Sequence, residues 1–246
     1  MPVGTGLSHD KISADWEKLR MKIRSKRYKE SEKEIDRANS YSLKDAISIL
    51  KKLRPPKFDA SVDLHFNINV DPKKSDQMVR GTVVLPHGTG KKVRVAVFCK
   101  GENEKLAREA NADYVGGNDL IDKVAGGFLD FDCAIATPDM MKDLSKLGKI
   151  LGPRGLMPSP KTGTVTNDIV KAVEDVRKGK VEFRTDKQSG IHLSVGKLSF
   201  SEDKLHENAS RVIEMVNETR PSSVKGKFIK SLFISSTMNC GFKLVI

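Results

Sequence analysis

The sequence lacks the features that mark membrane-spanning and exported proteins. No apolar run in the 246 residues approaches the roughly 18 that a membrane-spanning helix requires. The N-terminus is polar and contains Asp10, Asp15 and Glu17, so it has the pattern of neither a secretory signal nor an acid-poor transit peptide. We therefore expect a cytoplasmic protein with no membrane partner, with an organelle matrix as the less favoured alternative.

Cysteine, histidine and aromatic residues are all scarce. The three cysteines are widely separated and the five histidines show no paired spacing, so the sequence predicts no metal site and no cofactor. An odd, sparse set of cysteines is typical of reduced thiols. Aromatic residues make up only 6% of the chain, which disfavours a base-stacking RNA platform. An RNA partner is therefore expected to be recognised by its shape and backbone.

Acidic residues are missing from one long stretch, residues 144–165, although the chain contains 32 of them. This stretch is rich in glycine and proline and contains four cations, Lys146, Lys149, Arg154 and Lys161. Glycine lets backbone N–H groups approach a ligand closely, and unopposed positive charge attracts phosphate. By composition, the stretch fits a phosphate-backbone contact and an ordinary Gly/Pro connector equally well.

The excess positive charge is concentrated in a few segments. The formal net charge is +12 and the pI is near 9.5. Residues 72–100 contain seven Lys and Arg against one acid, and residues 220–246 contain five against none. Segregated cations form a binding face, which favours nucleic acid over an acidic protein or a neutral small molecule as the partner.

Catalytic patterns are not evident. Gly88-Thr-Gly90-Lys91-Lys92 is glycine-rich and basic, but it lacks the spacing of a P-loop and of a dinucleotide-binding turn. The aspartates at 139 and 143 are better explained by helix capping and solubility than by acid–base work. We therefore predict no catalytic residues and no enzyme. The alternative is a phosphate- or nucleotide-binding α/β enzyme that uses residues 86–92 and 148–164.

Both ends of the chain show the pattern of an α+β fold. Apolar and polar side chains alternate over residues 62–70, which predicts a strand with one buried face. Ser42 with Asp45 resembles a capping box that begins a short helix. The other elements predicted here are a strand at 81–85, paired strands at 181–185 and 191–195 around a turn, a long helix capped by Ser201 and ending at Thr219, and a strand at 228–237.

Between these ends, strands alternate with helices. This rhythm predicts a parallel, Rossmann-like α/β unit. Its predicted elements are strands at 93–99, 114–115 and 134–136, helices at 102–111, 120–128 and 166–178, and a further helix capped at its first turn by Thr137-Pro138.

The simplest architecture that explains both patterns is one domain inserted in another. Residues 1–88 and 180–246 form a discontinuous two-layer α+β domain, and residues 89–179 form an inserted three-layer α/β domain of Rossmann-like type. Residues 1–25 are expected to be a flexible basic arm. Glycine in both connecting segments predicts a hinge at Gly88, Gly90 and Gly179.

Several ordered motifs resemble one protein family. They include Lys149-Ile-Leu-Gly-Pro-Arg-Gly-Leu-Met-Pro158, Lys57-Phe-Asp-Ala-Ser-Val62 and Val79-Arg-Gly-Thr-Val-Val-Leu-Pro-His-Gly-Thr-Gly-Lys91. The family is ribosomal protein L-one, the universal large-subunit protein at the base of the mobile stalk. The residues of these motifs are similar to those of its bacterial form. The resemblance extends from about Lys26-Arg27 nearly to the C-terminus.

This resemblance implies a structural role in the large ribosomal subunit. The domain made from both termini is expected to bind large-subunit rRNA and to form the protein part of the stalk beside the tRNA exit site, where it assists release of deacylated tRNA. Bacterial members typically also repress their own operon by binding the mRNA leader. The free protein is expected to be a monomer.

The family's RNA-contacting positions can be placed on this sequence. The resemblance assigns RNA contacts to Lys57, Phe58, Ser61, Arg184, Lys187, Ser231, Thr237 and Met238. We include the adjacent Asn239 in the predicted site. Additional contacts are expected from Lys26, Arg27, Lys149, Arg154 and Lys161. One departure affects this site: the family continues Thr-Met-Gly-Pro, whereas here Asn239-Cys240 follows Met238. Asn239 therefore adds a side chain where RNA backbone is expected to pass closely.

Overall fold

A computed structural model describes residues 25–35, 39–72, 74–224 and 226–245. Mixed helices and strands run through this part of the chain, as predicted. The helices are α1 Lys26–Lys33, α2 Leu43–Lys52, α3 Glu102–Glu109, α4 Asn118–Ala125, α5 Met141–Leu144, α6 Gly148–Leu151, α7 Ile169–Arg177 and α8 Glu202–Glu218. The strands are β1 Ser61–Ile68, β2 Arg80–Val84, β3 Val95–Phe98, β4 Tyr114–Gly116, β5 Cys133–Ala136, β6 Lys180–Arg184, β7 Gly190–Lys197, β8 Ile229–Ser236 and β9 Gly241–Lys243.

A four-stranded antiparallel sheet joins the two ends of the chain. Its strand order is β7-β1-β8-β9. Strand β1 alternates as its sequence predicts: Val62, Leu64, Phe66 and Ile68 are buried, and the residues between them face outward. Helices α2 and α8 contribute apolar side chains to the core beneath the inner face. One face of the sheet is thus covered by helices, and the other carries polar side chains.

A three-stranded parallel sheet, in the order β4-β3-β5, lies within residues 95–136. Strand β3 is buried on both faces. Ala96 and Phe98 pack into a cluster with α4, α5 and α6, whereas Val95 and Val97 pack into another with α3 and α7. The layers are therefore helix, sheet and helix, as expected from the alternation of strands and helices.

Strands β2 and β6 form a separate antiparallel pair, with Val83 opposite Val181. The predicted pairing of 181–185 with 191–195 is therefore wrong, because β6 pairs with β2 and β7 pairs with β1. The turn between them carries the chain from one sheet to the other. Its Asp186 Oδ1 accepts hydrogen bonds from the backbone N–H of Gln188 at 2.8 Å and of Gly190 at 2.7 Å.

Several local expectations need correction. Thr137 precedes a 3-10 turn, Pro138–Met140, and its side chain makes no capping hydrogen bond. The helix predicted to begin at residue 166 begins at Ile169. The glycine-rich stretch is helical at its start, where Leu147 and Leu151 are buried. The predicted basic arm lies outside the described residues except for Ser25, which caps α1.

The apolar core of the described residues forms three clusters. One draws its side chains from residues 28–85 and 181–244. The other two draw theirs from residues 93–176 and lie on opposite faces of the parallel sheet. No helix in the described part of the chain is long and apolar enough to cross a membrane.

Candidate nucleic-acid interface

The turn between β8 and β9 exposes an apolar side chain in a strained backbone conformation. Met238 has φ +63° and is 66% exposed. Both are uncommon for a long non-glycine side chain. Thr237 fixes the start of the turn, because its N–H donates to the carbonyl of Ser61 at 3.0 Å and its Oγ1 accepts from the Ser61 N–H at 3.1 Å. The neighbouring strands therefore hold the Met238 side chain in solvent.

Arg27 connects helix α1 to this turn. Its Nη2 donates to the Met238 carbonyl at 3.0 Å. The sequence alone gives no sign of this contact, since the two residues are 211 positions apart. The bond places a guanidinium beside the exposed methionine, while the neighbouring Lys26 is exposed on α1.

Phe58 lies in the segment that enters β1 and is 50% exposed. A role in the core is therefore excluded for this ring, and the adjacent Lys57 is also exposed. The segment is fixed by Asp59, whose carboxylate accepts from the Ser199 N–H at 3.2 Å and from its hydroxyl at 2.9 Å. Phe58 and Met238 are both large apolar side chains that the fold leaves in solvent.

Lys197 is a further cation of this surface that the sequence analysis missed. Its Nζ donates to the Ser61 Oγ at 3.1 Å and to the Asp59 carbonyl at 3.2 Å. Strand β7 brings it there, because Ser61 pairs directly with Lys197. If the register between β1 and β7 were known, the sequence would place Lys197 beside Ser61. We call Arg27, Phe58, Ser61, Lys197 and Met238 the turn surface.

Asn239 stabilises the turn by hydrogen bonds and does not itself adopt the left-handed backbone conformation. The left-handed residue is Met238, and the Asn239 N–H donates to the Ser236 carbonyl at 3.0 Å. Its Nδ2 also donates to the Ser236 Oγ at 3.0 Å. Its Oδ1 is buried and has no partner among the described residues. The amide is therefore folded back onto the end of β8.

The remaining predicted contacts lie away from the turn surface, on the far end of the four-stranded sheet, at the end of β6 and in the turn between β6 and β7. Ser231 pairs with Asn67 near the end of β1, and the same Asn67 pairs with Gly190 on the other side. Arg184 ends β6, and Lys187 is exposed in the turn that follows. Six residue steps along β1 separate Asn67 from Ser61, or about 20 Å. The structure therefore divides the predicted site into two groups.

A histidine pair lies between these groups on the outer face. His65 and His192 pair across β1 and β7, and their Nδ1 atoms are 3.0 Å apart. Burial and the neighbouring His192 lower the pKa of His65 below its ordinary value, which favours the neutral imidazole. No group of three or more metal-ligating side chains occurs among the described residues.

Three other predicted contacts belong to the segment that packs on the parallel sheet. Lys149, Arg154 and Lys161 are all exposed. None of them forms an ion pair with a carboxylate of the described residues, and their charge is available to a partner. The turn surface lies on the four-stranded sheet, so these three residues are not part of it.

The two connecting segments touch at glycine. Gly88 and Gly179 have φ of +67° and +99°, and a Cβ on Gly179 would lie 2.5 Å from the Gly88 Cα. The fully buried Asn208 of α8 fixes one connector, because its Nδ2 donates to the Gly88 carbonyl at 3.0 Å. Gly90, at φ +70°, packs against Lys197. These contacts require a glycine at 179.

Comparison with known proteins identifies the family. The model of the ribosomal protein L1p/L10e family matches residues 50–240, well over half of the chain. The chain belongs to this family. Its similarity to bacterial members, at 51–55% identity, confirms the bacterial type that the motifs predicted.

Each of three such relatives is named large ribosomal subunit protein uL1. The proteins of Thermosipho melanesiensis and Fervidobacterium nodosum are each 55% identical over 221 residues, which cover 89% of this chain and 95% and 94% of theirs. That of Thermobifida fusca is 51% identical over 218 residues, covering 89% of this chain and 93% of its own. These names describe a ribosomal constituent and confirm the prediction of a non-enzymatic protein.

Proposed function

We propose that this protein is a constituent of the large ribosomal subunit in the bacterial cytoplasm and binds large-subunit rRNA through the turn surface. The observation that carries the proposal is Met238, which neighbouring strands hold exposed at a left-handed backbone position. Strained, exposed positions are maintained where function needs them. Family membership supplies the class of partner.

The chemistry of the turn surface supports a structured RNA partner. Arg27 and Lys197 supply cations for phosphates, while Phe58 and Met238 supply apolar contact to sugars or bases. The hydroxyl of Ser61 adds a short polar contact. Cations position a nucleic acid, and apolar side chains at fixed points select its shape, so the combination suits a folded RNA better than an unstructured strand.

Family membership supports a finer role. We propose that the bound rRNA belongs to the mobile stalk beside the tRNA exit site, where the protein assists release of deacylated tRNA. We also propose repression of its own operon through an mRNA leader that presents the same RNA shape. Both roles require one RNA-binding surface, and the free protein is proposed to be a monomer.

Affinity measurements at two salt concentrations test the proposal. The full protein should bind the rRNA stalk fragment and the operon leader much more tightly than a structured control RNA of equal length. Lys197→Gln should weaken stalk binding and reduce its salt dependence by about one phosphate contact. The matched change Lys171→Gln, at an exposed lysine of α7, should leave both unchanged. Equal affinity for the stalk and control RNAs would refute the proposal.

A two-unit architecture is part of the same proposal. We propose that residues 1–88 and 180–246 form the RNA-binding unit and that residues 89–179 form an inserted unit, with Gly88, Gly90 and Gly179 as the hinge. The division of the apolar clusters supports this boundary, since the first draws on both ends of the chain and the other two on the middle.

A further inference from the structure

A cavity of about 330 Å³ lies where the segment after β2 meets β5, β6 and the loop after α6. Its lining includes Thr89 and Lys91 from one glycine-rich basic segment and Gly155, Thr162 and Thr164 from the other. The fold thus brings together the two glycine-rich, basic segments whose composition suits contact with a phosphate. The turn surface uses neither of them, so the proposed rRNA contact does not explain this convergence.

The acidic side chains in the lining are already neutralised. Asp132 forms an ion pair with Arg94 at 3.3 Å, and Glu182 forms one with Arg80 at 2.7 Å. Arg94 also holds the pKa of Asp132 below its ordinary value by hydrogen bonding. Both carboxylates therefore form their ion pairs with cations outside the lining, and Lys91 contributes only a smaller electrostatic effect on Asp132.

The lysines of the cavity have no such partners. Within the described ranges, no carboxylate pairs with Lys91 or Lys180. Lys180 is partly buried, and its Nζ lies 3.0 Å from the position that a Cβ on Gly163 would take. The absence of a side chain at Gly163 lets the ammonium lie against this loop. Two unpaired ammonium groups at one cavity favour an anion.

Other lining groups define the rest of the ligand. The Ser194 Oγ is closed to solvent and therefore to a ligand in the cavity. Thr82 is only partly buried, so its hydroxyl is available to a ligand hydroxyl. The remaining wall is largely apolar, formed by Val93, Ala134, Leu156, Met157, Val176 and Val181. The lining therefore combines cations, a hydroxyl partner and an apolar wall.

We propose that this cavity binds a small organic phosphate of the nucleoside monophosphate class. The phosphate binds Lys91 and Lys180, a sugar hydroxyl binds the Thr82 hydroxyl, and the base packs on the apolar wall. The volume lies at the lower end of ligand pockets, about 300–1,000 Å³. The cavity binds without catalysis. A free nucleotide and a 5′-terminal nucleotide of RNA share this chemistry.

Calorimetric titration of the full protein with AMP tests the proposal. AMP should bind saturably at one site, and Lys180→Gln and Lys91→Gln should each weaken it by about tenfold or more, because each removes a charged hydrogen-bond donor. Lys92→Gln is the matched control: it removes an exposed lysine beside Lys91 that does not line the cavity. Urea unfolding of every variant establishes that it is folded.

Cys133 supplies a second readout, because it lines the cavity and is only partly buried. AMP should slow its modification by a small thiol reagent, and inorganic phosphate should do so less, because it leaves the apolar wall open. Protection by a 5′-phosphorylated trinucleotide equal to that by AMP would identify an RNA end as a ligand. Protection by AMP alone would identify the free nucleotide.

Three results would overturn the proposal. One is no saturation with AMP up to about 10 mM, weaker than any specific site of this kind. Another is equal weakening by Lys92→Gln, which would show general charge attraction. The third is binding without protection of Cys133. The rRNA proposal is judged separately, because Lys180→Gln should leave affinity for the stalk fragment unchanged.

Discussion

At the scale of single residues, the turn surface depends on contacts between distant parts of the chain. Resemblance to the family placed Phe58 and Met238 in the site, and the structure shows both side chains exposed. It could not show that Arg27 bonds the Met238 carbonyl or that Lys197 reaches Ser61, because strand register and helix docking create those contacts. His65 and His192 escaped prediction for the same reason.

Asn239→Gly should preserve or tighten binding of the rRNA stalk fragment, by at most about 1 kcal/mol. The change removes a side chain beside the proposed RNA path and a buried Oδ1 that has no partner among the described residues. Affinity of the folded variant, measured beside the wild type at one salt concentration, checks this. Clearly weaker binding would mean that the amide itself contacts RNA.

The thiol of Cys133 should react slowly at pH 8. Burial raises its pKa to about 11, so only about one thiol in a thousand is the reactive thiolate at that pH. Because the pKa is raised, the alkylation rate should grow about tenfold per pH unit from pH 7 to 10. Site-resolved mass spectrometry gives the rate, and a plateau below pH 9 would contradict the assigned environment.

At the scale of elements, the sequence correctly predicts the strands and helices that are determined by neighbouring residues. Strand β1 has strict alternation, and the helix from Ser42 has a capping side chain, so both occur where expected. The partner of β6 is set by long-range packing, which is why its pairing was mispredicted. The short strand β9 has three residues and was missed. Helix α6 begins at Gly148, a residue that argues against helix.

Gly179→Ala should destabilise the protein far more than Gly127→Ala. Both glycines have φ near +100°, so both changes impose the same backbone strain of about 1–2 kcal/mol. A Cβ on Gly127 would meet nothing within 4 Å, whereas one on Gly179 would lie 2.5 Å from the Gly88 Cα. Urea unfolding should show at least about 1 kcal/mol more loss for Gly179→Ala. Equal losses would show that the close approach of Gly179 to Gly88 does not contribute to stability.

At the scale of the whole molecule, the proposed units are joined by only two segments. Both contain left-handed glycines, and the apolar clusters on either side share no residue. Such a connection favours relative motion of the units about the glycines. The family match spans the connectors, but only the structure shows that Gly88 and Gly179 touch.

The angle between the units should therefore differ between the free and rRNA-bound protein. Small-angle scattering of the free protein, compared with contrast-matched scattering of the protein within the stalk complex, measures this. We expect distinct distance distributions in the two states. Superimposable distributions would show that the connectors are rigid, and the hinge would be wrong even if the RNA-binding surface is right.

The affinity of Met238→Asp for the rRNA stalk fragment shows whether the turn surface binds rRNA. The change places a negative charge on the turn surface, so it should weaken binding at low salt by about tenfold or more. Val170→Asp is the control, because it makes the same charge change at an exposed apolar residue of α7. We predict a large loss for Met238→Asp and little for Val170→Asp, with both proteins folded. Unchanged affinity of folded Met238→Asp would contradict the assignment of the turn surface.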